Sequence, residues 1–315
     1  MAHDEPVFNS PGRAGCGGDE TGVRAMSAWS RTLGVMGGSG LYELEQLTNI
    51  EEIAMMTPFG APSDAIVSGT LGDSRLLFLP RHGKGHRYPP HRINYRANVL
   101  ALKMAGAEQI LSVSAVGSMR EDIHPGDMVI VDQFIDRTRN RLDTFFDDDG
   151  VVAHVEFAHP VDAQLASSLS DASRTAGATV HEGGTYLCME GPQFSTLAES
   201  QLYRSWGVSV IGMTNFPEAR LAREAELPYA TLAMATDYDC WHEDHDAVTV
   251  EAVVAVMHEN VAKAKEIIVA LAAAVPDPRG RPATSALAGG IITNPDSISP
   301  DVRDKLRPLI GKYIP

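Results

Sequence analysis

The stretch PYATLAMATDYDCW, Pro228 to Trp241, decides how the rest of the chain is read. Its first part, PYATLAMA, is a continuous apolar run of strand length and reads as a buried strand. The run then delivers two acids, Asp237 and Asp239, two positions apart. If the strand continues to Asp237, residues i and i+2 point to the same side. A carboxylate taken out of water is costly unless partnered, and apolar surroundings raise its pKa by disfavouring the charged form. A carboxyl that holds or shares a proton is what a leaving group needs when it departs as an anion. The competing structural reading makes one acid an N-cap or an Asx-turn acceptor. That reading stays open for Asp239; Asp237, at the end of a buried strand, is read as functional.

Working outward, the same strand-then-chemistry pattern recurs. Leu33 to Met36 reads as a short buried strand running into the turn Gly37-Gly38-Ser39. DAIVSGTLG and RLLFLP read as strands, the second ending directly at Arg81 and His82. QILSVSAVGS is expected to be a strand that breaks into a small-residue turn at Ser114-Ala115, and GDMVIVDQFI to be one further strand. GTYLCMEGPQF and VSVIGMT are two more, the latter ending at Met213-Thr214. Between them, YRANVLALKMAG has helical spacing and stops at Gly106, and AQLASSLSDASRTAG, TLAESQLYRSWG and PEARLAREAEL are also helical. A long helix follows Thr249, with Val250, Val253, Val254, Met257 and Val261 as its apolar stripe. A last helix follows SISP. LYELEQLTNIEEI is at best a short, uncapped helix.

Strands alternating with helices along the whole length indicate an α/β sheet with helices on both faces. In such sheets the carboxyl ends of strands converge on the ligand crevice. Five strand ends carry usable chemistry, so one site gathered from across the chain is expected. Residues 31–315 read as a single domain. Residues 1–30, rich in Gly, Pro and acids, read as a disordered tail.

Composition narrows the function. The formal net charge of −15 argues against nucleic acid or an anionic membrane as partner, and requires any anionic substrate to be captured by a local pocket. No apolar run approaches the roughly 20 residues of a membrane span. Cys16, Cys188 and Cys240 are too few and scattered for a disulfide framework or zinc cluster, which makes a reducing cytoplasm the expected location. The glycines of GVMGGSG do not have dinucleotide-fingerprint spacing; they fit a backbone nest in which N–H groups and Ser39 meet a phosphate. His82, His86 and His91 lie among Arg81, Lys84, Arg87 and Arg92, a poor setting for a divalent ion. Arg81 and His82 stand apart because they end a strand, where a fork of N–H donors can grip an oxyanion bidentately. WHEDHD lacks the H-E-x-x-H spacing of a zinc protease, and neither G-x-S-x-G nor a Walker loop occurs.

Taken together, GVMGGSGLY, LPRHGKGH, SAVGSMREDIHPGDMVIVDQFIDRT, MEGPQFSTLAES and GMTNFPEARLAREAELPYATLAMATDYDCW, in that order, resemble the trimeric purine nucleoside phosphorylase superfamily, nearest its methylthioadenosine-cleaving branch. The resemblance runs from about Gly34 to Met257. It implies a mixed, partly barrel-like sheet flanked by helices, a homotrimer, and phosphorolysis of 5'-deoxy-5'-methylthioadenosine with inorganic phosphate as co-substrate and no metal or organic cofactor. Another purine nucleoside specificity (methylthioinosine, adenosine or 6-oxo nucleosides) is the alternative. Carried over residue by residue, it implies phosphate held by Ser39, Arg81, His82, Ser114, Ala115 and Thr214. Met213 would lie beneath the ribose and Phe194 against the base, with Asp237 and Asp239 as the catalytic pair facing N7 and the 6-amino edge. Val250 and Val253 would line the methylthio slot, closed by His154 of a neighbouring subunit.

Overall fold

The computed structural model describes residues 31–38, 40–41, 43–148, 150–242 and 250–314. The expected N-terminal tail lies outside these residues. Among the described residues, eleven strands form one mixed sheet. At its centre β1 (Arg31–Gly37) runs parallel to β4 (Ser74–Pro80) on one side and to β5 (Gln109–Ser118) on the other. Beyond β4, β3 (Ile66–Leu71) and the edge strand β2 (Thr48–Ile53) are antiparallel. At β5 the sheet forks. One branch continues through β10 (Val210–Gly212), β9 (Thr185–Met189) and β7 (Gln133–Arg137); the other runs through β11 (Tyr229–Asp237), β6 (Met128–Ile130) and β8 (Val180–Glu182). The fork gives the sheet its partly barrel-like form.

Among the described residues six α-helices cover it: α1 (Tyr95–Met104), α2 (Ala163–Thr175), α3 (Leu197–Ser205), α4 (Asn215–Glu224), α5 (Val250–Ala272) and α6 (Pro300–Ile310). Alternation along the strands feeds two cores, because successive strand side chains point to opposite faces. Leu77 and Leu79 of β4 pack with Val99 of α1, Leu221 of α4 and Leu306 of α6. Leu76 and Phe78 pack with Leu165 of α2 and Ile267 of α5. Burying each such side chain contributes about 1.5–3 kcal/mol. Local signals set the helix limits. Asn94 caps α1 by accepting from the Ala97 N–H at 3.2 Å, and Gly106, at φ +96°, follows its end in a conformation few other residues adopt. Thr196 and Glu199 form a reciprocal capping box on α3.

Three expectations are corrected. LYELEQLTNIEEI carries the edge strand β2 rather than a helix. GDMVIVDQFI is two strands, because Asp132 breaks the run. Its backbone N–H donates to Gly184 O, its carboxylate accepts from Gly184 N–H, and the chain crosses there from one branch to the other. QILSVSAVGS does not break at Ser114-Ala115. It continues to Ser118 as one ten-residue strand that exchanges partners midway.

Candidate active site

That exchange builds the site. β1 pairs with β5 only as far as Ser112, while β10 approaches from the opposite end and reaches only Gly117. Between them Val113 to Val116 form a window in the ladder, and Ala115 is exposed within a mostly buried strand. The window is the floor of a cavity of about 370 Å³, the size of a small-molecule site. The ends of β4, β10 and β11 close around it, with Phe194 from the β9–α3 loop and Met257 and Val261 of α5.

On one side lie the residues expected to meet phosphate. Ser114 Oγ is 3.3 Å from Thr214 Oγ1 and 3.2 Å from Tyr186 Oη, joining β5 to the loop after β10. Thr214 stands at the N-cap of α4, and its hydroxyl makes no capping bond. Arg81 lines the cavity and is 2% exposed. The edge of its guanidinium expected to grip an oxyanion is occupied: Nε and Nη2 both donate to Glu218, Nη2 at 3.0 Å. Nη1 donates to Val113 O at 3.0 Å, and Nη2 reaches Ser112 Oγ at 2.6 Å. Burial opposes the Arg81 charge, and the Glu218 carboxylate beside it outweighs burial and keeps it protonated. Arg81 therefore presents at most one free N–H to the cavity. His82 donates from Nδ1 to Tyr88 O at 2.8 Å, leaving Nε2 as the acceptor, and its ring stacks on His86. Burial, reinforced by the Arg81 charge, pushes its pKa down to about 4, so the imidazole is neutral near pH 7.

On the other side stand the acids. β11 continues to Asp237 and ends there, so Asp239 lies beyond the strand. Asp239 sits at φ +54° and its N–H donates to Asp237 Oδ1 at 2.7 Å, an Asx-type turn. The turn, not strand alternation, brings both carboxyls to one cavity. Gly117 makes room for them: a Cβ there would lie 3.0 Å from Asp237 Oδ1 and 3.4 Å from Asp239 Cβ. Burial raises the pKa of both, and at Asp237 the neighbouring Asp239 charge adds to it. Met213 and Phe194 line the same cavity. Ser39 lies outside the described residues, as do the side chains of Val250 and Val253 on α5. His154 is exposed, pairs through its N–H with Gly290 O at 2.9 Å, and is not brought to the cavity of its own chain.

A family model described as the phosphorylase superfamily matches residues 32–273. The chain belongs to that superfamily. The S-methyl-5'-thioadenosine phosphorylase of Geobacter sulfurreducens is 56% identical over 285 residues, covering 90% of this chain and 99% of that protein. The enzyme of the same name from Synechocystis is 49% identical over 310 residues, covering 97% and 93%. Among solved structures, a methylthioadenosine phosphorylase sourced from an antarctic soil metagenomic library matches with a TM-score of 0.84 at 43% identity, covering 90% of this chain and 99% of that one. Methylthioadenosine phosphorylase from Schistosoma mansoni in complex with adenine matches at 0.77 and 35%, covering 83% and 99%.

Two residues of this phosphorylase-superfamily chain escaped the sequence reading. Glu218 is fully buried against Arg81, and its signal was present: with Leu221, Ala222 and Ala225 it shares one helical face, so an acid stands on an apolar stripe. Arg141, with a side chain 2% exposed, donates to Met213 O at 2.9 Å, Phe216 O at 2.7 Å and Glu190 O at 2.7 Å, and its Nε reaches the Glu190 carboxylate. It ties the loop bearing Met213 to the loop leading to Phe194. Nothing in RTRNRLDTFF distinguishes it from Arg137 and Arg139.

Proposed function

We propose that the chain catalyses phosphorolysis of 5'-deoxy-5'-methylthioadenosine, giving adenine and 5-methylthioribose 1-phosphate. The observation that carries this reading is one cavity with hydroxyl and backbone donors at Ser114–Ala115 and Thr214 and a pair of elevated-pKa acids at its other side. Phosphate sits among Ser114, Ala115, Thr214, His82, the remaining Arg81 N–H and Ser39. Its oxygen forms a bond to C1' as the C1'–N9 bond breaks and the electron pair moves into the purine. Asp237 gives its proton to N7, an effect typically worth ~10²–10⁴ in rate, and accepts from the 6-amino group, with Asp239 beside it. A 6-oxo purine brings an acceptor where that amino group donates, and the mismatched buried pair costs about 1–3 kcal/mol. Met213 lies under the ribose, Phe194 against the base, and Val250 and Val253 along the methylthio group.

The assembly is a homotrimer in which His154 of a neighbouring subunit closes the slot. The exposure of His154 away from its own cavity supports this placement. The body from 31 to 315 works as a single domain. Product analysis with and without phosphate tests the reaction: adenine release that depends on phosphate and yields the sugar phosphate is expected. Equal release without phosphate overturns phosphorolysis, and better turnover of inosine than of methylthioadenosine overturns the substrate.

A further inference from the structure

The side proposed to take phosphate has donors, but little net charge with which to attract an anion. The Arg81 guanidinium is matched by Glu218, His82 is neutral near pH 7, and Asp237 and Asp239 share the same cavity. The chain as a whole carries a formal net charge of −15. An oxyanion approaching from solvent meets a repelling field, and hydrogen-bond donors inside the cavity act only at contact distance. Attraction at range has to come from outside the cavity.

The loop that follows β4 can supply it. From Arg81 to Arg92 the sequence carries Lys84 and Arg87 as well, three histidines, and no acid. Its first turn is tight. Gly83 N–H donates to Pro80 O at 2.9 Å and His86 N–H to Gly83 O at 3.0 Å, with Gly83, Gly85 and His86 all at positive φ. His82 and His86 line the cavity, and the exposed Lys84 lies between them in this turn. Pro90 lines the cavity too, and the exposed Arg92 follows two residues later. Asp64, the acid bonded to this loop, is already committed. It accepts the Lys84 backbone N–H at 2.6 Å and pairs with the Arg87 guanidinium at 3.2 Å. Among the described residues no acid pairs with the Lys84 ammonium or the Arg92 guanidinium.

We infer that Lys84 and Arg92 form a cationic rim that draws phosphate to the mouth of the cavity. The inference rests on phosphate being the co-substrate of the reading above. Attraction at range and recognition at contact are thereby carried by different residues. The division has a chemical reason. A free cation inside the cavity would favour the carboxylate forms of Asp237 and Asp239, because an opposite charge close by lowers a carboxyl pKa. On the rim, with water between, the same charge reaches an approaching anion and acts far less on the acids.

The sign of the salt effect tests this. If the overall negative charge ruled the approach, screening it would strengthen phosphate binding; if the rim rules, screening weakens it. Inorganic phosphate is titrated calorimetrically into the nucleoside-free protein at one pH, in about 0.01 M and about 1 M sodium chloride, between which the screening length falls from about 30 Å to about 3 Å. KM for phosphate and for methylthioadenosine are measured alongside. Wild-type affinity for phosphate is expected to fall several-fold with salt. The double variant Lys84→Glu, Arg92→Glu is expected to bind phosphate about tenfold more weakly at low salt and to meet the wild type at high salt. Its KM for methylthioadenosine should hold. Lys84→Gln with Arg92→Gln, which removes the charges without reversing them, should fall between and repeats the test should the reversed pair disturb the fold. Wild-type affinity that rises with salt, or a reversed variant that matches the wild type at low salt, overturns the proposal. A loss that persists undiminished at high salt also overturns it, since that marks a contact or a distortion and not a field. Calorimetry needs no turnover. A wild type that binds phosphate with the expected salt dependence yet releases adenine without it overturns the reaction and leaves the rim standing.

Discussion

The two sides of the cavity solve one problem in opposite ways. Both take ionisable groups out of water. At the side proposed to take phosphate the charges are matched inside the protein, Arg81 against Glu218, and the neighbouring His82 is kept neutral. At the side proposed to meet the base, burial raises the pKa of Asp237 and Asp239, and among the described residues no cation pairs with either acid. The difference shows what each side can offer a ligand. A framework whose charges are matched internally holds hydroxyl and backbone donors in fixed positions, which suits an oxyanion that supplies its own charge. An acid whose pKa is raised gives up a proton closer to neutral pH.

The contrast breaks first, and with the largest effect, at Glu218. If the pair is a matched one, Glu218→Gln leaves Arg81 as a buried charge with carbonyls and hydroxyls for company. Removing one partner of a buried pair typically costs about 3–5 kcal/mol, and urea unfolding should register a loss of that size. A loss below about 1 kcal/mol would mean that Arg81 finds its counter-charge elsewhere and the framework is not neutral.

The base side is challenged by Asp237→Asn. The amide is nearly isosteric but has no acidic proton to give, and it presents a donor to the 6-position. Activity on methylthioadenosine should fall at least tenfold, about 1.4 kcal/mol, while 6-oxo purines improve relative to 6-amino ones. Comparing kcat/KM on methylthioadenosine and inosine for both enzymes checks it. Unchanged kinetics would remove the acid from the chemistry and leave the two sides alike.

How much of this could be read from the sequence follows the same physics. Strands that bury both faces, such as β11, announce themselves as apolar runs, and capped amphipathic helices such as α3 do likewise. β2 does not: TNIEEI has exposed side chains throughout except at Ile53, and it is a strand because β3 offers an edge to pair with. The end of β5 was misplaced because small residues at Ser114–Gly117 look like a turn. They are small because β10, β11 and the cavity all press on one strand. The site residues at strand ends were legible as types of chemistry. Their partners were not, since whether Arg81 faces solvent, substrate or Glu218 depends on a helix more than a hundred residues away.

The smallest expected effect lies at His82, and it sharpens the claim that the phosphate side rests neutral. Burial lowers its folded-state pKa to about 4, against 6.5 in the unfolded chain. Between these values the unfolded state binds a proton that the folded state does not, so stability falls as pH drops through that window. Above 6.5 both states are neutral and His82 contributes no pH dependence. His82→Gln lacks this titration, so its stability relative to the wild type should improve by about 1 kcal/mol between pH 7 and pH 5, allowing for partial solvent screening. Urea midpoints at the two pH values measure it. If the difference between the proteins stays constant, the folded imidazole takes up its proton as readily as the unfolded one. The phosphate side would then carry an extra cation at mildly acidic pH. The cavity would pair a positive side with an acidic one, and phosphate affinity should rise on acidification in wild type but not in His82→Gln.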